Sequence, residues 1–73
     1  MSKEFNKKLG SVLREKRNEK GFSQEYIAER LGVTKNQVSH WELGQRSIYA
    51  EQLSVYCGVL GVSMQSVFDD MEK

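Results

Sequence analysis

Phe5, Leu9, Val12 and Leu13 form an apolar stripe at helical spacing, which predicts a first helix over about Lys3 to Lys20 that Gly21 stops. Ile27, Leu31 and Val38 carry the pattern across two shorter helices. A fourth helix of about Ala50 to Leu60 turns Leu53, Tyr56, Cys57 and Leu60 inward and ends at Gly61. In the last helix, over about residues 63–71 with Ser63 as its cap, Met64, Val67, Phe68 and Met71 fall within an arc of about 100°. The pattern predicts an all-α, compact five-helix domain occupying residues 1–73 as one unit. The end of the chain, Asp69 to Lys73, is expected to fray.

The run from Ser23 to Leu43 is the most informative. Ser23 can cap one helix and Thr34 the next, each accepting a hydrogen bond from an otherwise unpaired backbone N–H. Ala28 is small where two helices must approach closely, and Gly32 stands where a left-handed residue would end the first of them. This is the sequence form of a helix-turn-helix, whose second helix can enter the major groove of DNA. On that helix Lys35, Asn36, Ser39, His40 and Leu43 share an arc of roughly 140°. Val38 and Trp41 lie on the other side, with Gln37 flanking. Lys can donate to guanine and Asn can pair with adenine. The plain alternative is a solvated polar helix face.

Net charge is only +1, which argues weakly against a nucleic-acid partner until its distribution is considered. Residues 1–46 hold ten Lys/Arg against six Asp/Glu, a net of +4; residues 47–73 hold one against four, a net of −3. A basic reading half beside an acidic tail keeps phosphate attraction local. The single Cys57 excludes an internal disulfide, fits a reducing cytoplasm, and reads as a small core filler. No apolar run approaches the roughly 20 residues that span a bilayer, so a soluble, cytoplasmic, nucleoid-associated protein is expected. One His and one Cys on separate helices make neither a nucleophilic pair nor a multi-ligand metal site. No enzyme activity, metal, cofactor or small-molecule ligand is expected, nor is an effector domain expected within 73 residues.

The chain resembles the small Cro/Xre phage-repressor-like regulators from about Leu9 to Phe68. The resemblance is carried by Arg14 and Arg17, Gly21-Phe22-Ser23-Gln24, Ala28, Gly32-Val33-Thr34 and Val38. It continues through Trp41-Glu42-Leu43-Gly44-Gln45-Arg46, Leu53 and Leu60-Gly61-Val62-Ser63. It implies a lambda-repressor-like fold that binds operator DNA as a symmetric dimer. By the resemblance, Lys35, Asn36 and His40 are base readers. Gln24 would touch a phosphate and brace the first reading residue, while Thr34, Gln37 and Arg46 would contact the DNA backbone. His40 could donate to a guanine, touch a thymine methyl, or be a passive exposed residue. Relatives often have Pro-Ser or Pro-Thr before the fourth helix; this chain has Ile48-Tyr49 and no proline, which leaves the role of Tyr49 open.

Arg17 falls on the apolar stripe, where a free charge is costly, and Glu42 ends a helix whose macrodipole disfavours an anion. The family pairs an Arg and a Glu at these places, which implies an Arg17–Glu42 ion pair; the plainer alternative is two independent solvent-facing charges. One domain reaches half an operator, so a homodimer on a pseudo-palindrome is expected, with Met64, Val67, Phe68 and Met71 as candidates for the seam. Repression by occlusion is the default outcome. Glu25 and Glu29, one turn apart on the second helix, are where some relatives carry acids that touch RNA polymerase. The alternative of a different class is an antitoxin-like protein-interaction module on the same fold.

Overall fold

The computed structural model describes residues 2–73 as five helices: α1 (Lys3–Lys20), α2 (Gln24–Leu31), α3 (Lys35–Glu42), α4 (Ala50–Leu60) and α5 (Met64–Met71). Four of them start the same way. The hydroxyls of Ser2, Ser23, Thr34 and Ser63 each accept the backbone N–H three residues on, at 3.0–3.2 Å, satisfying a donor that the helix itself cannot. At α3 the arrangement is reciprocal, since Gln37 Oε1 also accepts the Thr34 N–H. Helix α4 lacks a hydroxyl cap. There Gln52 Oε1 accepts the Tyr49 N–H at 3.1 Å, a substitute start where no proline is present, and the Tyr49 side chain stands 75% exposed.

Between α2 and α3 only Gly32, Val33 and Thr34 intervene. Gly32 adopts φ +69°, a conformation that L side chains resist, and Val33 donates to the Ala28 carbonyl at 3.0 Å. The tight turn sets α2 across α3, with Ile27, Ala28 and Val38 buried between them. Helix α1 lies along α3 on one side and α5 on the other, while α4 closes against α2. The core joins Leu9, Leu13, Ile27, Val38, Trp41, Ile48, Leu53, Tyr56, Cys57, Leu60 and Val67. Each large apolar side chain removed from water there contributes about 1.5–3 kcal/mol. Among the described residues no helix is long and apolar enough to cross a membrane.

Two expectations change. Val67 is fully buried; it closes the core and offers no surface to a partner. The end of the chain is tied rather than frayed. Helix α5 continues to Met71, and Asp70 binds Lys16 at 2.5 Å and Lys73 at 2.9 Å, with Lys16 largely covered by its surroundings.

Candidate nucleic-acid interface

Helix α3 is held at its C-terminal end by a buried polar cluster. Glu42 is 5% exposed and Arg17 7%. The Arg17 guanidinium donates twice to the carboxylate, Nε to Oε2 at 2.7 Å and Nη2 to Oε1 at 3.0 Å. Its remaining nitrogen donates to the Phe22 carbonyl at 2.6 Å, tying the α1–α2 turn to the same group. Two more donors complete the carboxylate: Gln24 Nε2 to Oε1 at 3.0 Å, and Tyr56 Oη to Oε2 at 2.5 Å. A buried charge is tolerable only when paired and hydrogen-bonded in this way. Burial alone would raise the Glu42 carboxyl, but the bonds from Arg17, Tyr56 and Gln24 outweigh it and hold the group below its ordinary range. Burial, and then the neighbouring carboxylate, push the Tyr56 phenol well above its usual value. The cluster joins α1, α2 and α4 to the last residue of α3.

Close backbone approach adds to this hold. A Cβ on Gly10 would strike the carbonyl oxygens of Trp41 and Glu42, the latter at 2.6 Å, so α1 seats directly on the end of α3. Gly44 has φ +75°, and a Cβ there would lie 2.6 Å from Lys7 Cα. The chain therefore turns sharply after Leu43 and packs against α1. Asn6, 8% exposed, donates from Nδ2 to Ser47 Oγ at 3.0 Å, pinning the loop that follows; its Oδ1 is buried and finds no partner among the described residues.

What this scaffold presents is the opposite face of α3. Lys35 and Asn36 are exposed, Ser39 and His40 half-buried, and Leu43 is 51% exposed. Lys35 Nζ lies 3.7 Å from a Glu25 carboxylate oxygen. Both groups are well exposed, so the pair holds the lysine loosely. Thr34 and Gln37 flank the start of the face and are engaged in capping α3. Arg46 is exposed in the loop after Gly44. Gln24 departs from its expected place: its amide does not brace Lys35 or Asn36 but turns to Glu42, the charged acceptor within reach. Glu25 and Glu29 are both exposed on α2, and Glu25 faces Lys35.

Sequence reasoning missed Tyr56 as a polar participant, because its spacing marks it only as core. It also missed Asn6 and Gly10. A glycine inside a strong helical pattern was the available signal for close packing.

A helix-turn-helix family model matches residues 13–67. Over 62 residues, 85% of this chain, the sequence is 34% identical to uncharacterized HTH-type transcriptional regulators of Sinorhizobium medicae (strain WSM419) and Rhizobium meliloti (strain 1021). The chain spans 45% of the length of these curated relatives. The fold is similar to that of the clp gene regulator ClgR from Corynebacterium glutamicum, with a TM-score of 0.89 and 30% identity over 92% of this chain and 71% of that one. It is also similar to the restriction-modification controller protein C.Esp1396I, with a TM-score of 0.79 and 26% identity over 90% of this chain and 86% of that one. The capped α2–turn–α3 unit and these matches place the chain in the helix-turn-helix family of Cro/Xre-like transcriptional regulators.

Proposed function

We propose that this chain is a sequence-specific double-stranded DNA-binding regulator that acts as a repressor and binds a pseudo-palindromic operator as a homodimer. The observation that carries the reading is the polar face of α3, projecting from a helix whose far end is fixed by the Glu42 cluster. A helix so held can enter the major groove without reorganising, which lowers the ordering cost of binding. Lys35, Asn36 and His40 read base edges. Gln24, Thr34, Gln37 and Arg46 meet the phosphate backbone, the contacts that set register without carrying sequence information. Gln24 has two amide hydrogens; one goes to Glu42, and the second is available to a phosphate.

Dimerisation follows from reach, since one domain this small covers half an operator. The half-buried Met64, Phe68 and Met71 supply an apolar edge for it. A shallow groove of ≈ 250 Å³ lies alongside, lined by Phe5, Lys8, Phe68, Met71 and Glu72. Selection of bound duplexes from a random library tests the reading. The expected result is an inverted repeat with half-sites about one helical turn, roughly 34 Å, apart. A single enriched half-site would remove the dimer. No enrichment by folded protein would remove DNA reading and favour a protein-interaction module.

A further inference from the structure

Leu43 has no part in the roles assigned above. Among the described residues, the exposed large apolar side chains are Leu43, Tyr49 and Val55, and of these Leu43 alone extends α3. Its backbone is still helical, at φ −86° and ψ −4°, and its N–H donates to the Ser39 carbonyl at 3.0 Å. Leu43 therefore keeps its angular place on the helix. At about 100° per residue it falls between Ser39 and Asn36, near the middle of the reading arc. The chain then leaves that face: Gln45 donates back to the His40 carbonyl at 2.9 Å, and Gly44 packs on Lys7. An isolated exposed leucine needs no explanation. One set centrally in an otherwise polar strip does, because a polar residue there would add a hydrogen bond and this one cannot.

In the major groove the apolar group offered by a base edge is the C5-methyl of thymine. We propose that Leu43 is a specificity-determining residue that covers the C5-methyl of one thymine in the recognition sequence. The proposal rests on α3 being the recognition helix. Leu43 is eight residues beyond Lys35, about 12 Å along the axis at 1.5 Å per residue, and so meets a different base pair from Lys35 or Asn36.

The test replaces each thymine of a selected duplex by deoxyuridine, which removes the methyl group and leaves the pairing edge and O4 unchanged. Wild-type protein should lose about fourfold in affinity at one position, the value of one buried methyl-sized group. Leu43→Ala should bind the thymine and deoxyuridine duplexes equally at that position, and selection with it should lose the thymine. Leu43→Met should keep the discrimination. A wild-type protein indifferent to every replacement overturns the proposal, as does a Leu43→Ala variant that keeps the wild-type sensitivity. A failure of folded wild-type protein to select any sequence overturns the recognition-helix reading itself, which separates the two failures.

Discussion

The Tyr56 hydroxyl donates to Glu42 Oε2 at 2.5 Å, so the last residue of the helix that carries the reading face is anchored to α4 by a side chain with no exposed surface. The bond closes a cluster in which Arg17 and Gln24 supply the other donors. Tyr56→Phe removes one donor from a buried carboxylate and should destabilise the fold by about 1.5–3 kcal/mol. In a domain of this size each kcal/mol corresponds to roughly 4–8 °C. Thermal melting should therefore show a fall of about 6–24 °C. An unchanged melting temperature would mean that the hydroxyl contributes nothing to holding α3.

Acid should attack the same cluster. The folded Glu42 carboxyl titrates below its ordinary 4.5, so between the two values the unfolded chain binds more protons than the folded one. Stability then rises with pH through that window and is lost as pH falls through the folded value. Tyr56 behaves in the mirrored way: its folded value is raised, its contribution is complete below its ordinary value of 10, and it declines as pH rises above that. Burial raises the Cys57 thiol as well, so its contribution declines above its ordinary value of 9.0, and these three groups leave melting temperature without a slope only between pH 4.5 and 9. In Glu42→Gln, which carries no titrating carboxyl at this position, the fall below pH 4.5 should be shallower. An identical acid limb would contradict the assignment.

Two glycines inside helices should respond oppositely to the same substitution. Gly58 lies in α4, and a Cβ there would meet nothing within 4 Å; Gly58→Ala should stabilise by about 0.5–1 kcal/mol through helix propensity. Gly10→Ala gains the same propensity but drives a methyl into the Trp41 and Glu42 carbonyls, and it should destabilise strongly or prevent folding. Chemical denaturation of the two variants checks both signs. A neutral Gly10→Ala would mean that α1 does not seat directly on the end of α3.

Arg46 is exposed beyond the reading helix, in the loop that Asn6 pins through Ser47. As a phosphate contact it should contribute equally on every sequence. Arg46→Ala should weaken binding uniformly and reduce the slope of log affinity against log salt by about one. A loss confined to one sequence would identify it as a base reader instead.

The elements were largely legible in the sequence because their signals are local. Ser23, Thr34 and Ser63 mark the starts of α2, α3 and α5, and Gly21, Gly32 and Gly61 follow the ends of α1, α2 and α4 within one residue. The Arg17–Glu42 pairing was also within reach, since each residue occupies a place where an unpaired charge is costly. Tyr56 was not, because core spacing says nothing about where a hydroxyl points. Gln24 was read from its place at the start of α2, but a buried carboxylate brought close by the fold redirects its side chain. The surface role of Val67 failed for a related reason: a shared arc on α5 does not separate the residues facing the core from those at its edge. Asn6 depends on a loop 41 positions away, which no local pattern encodes.

The most direct test of the central claim, that α3 reads base edges, is selection from one random duplex library by wild-type protein and by Asn36→Ala in parallel. The account predicts that the variant selects the same sequence with preference relaxed at one base position of each half-site, with a loss there of about 1–3 kcal/mol. Identical sequence preferences, or an equal weakening at every position, would contradict it.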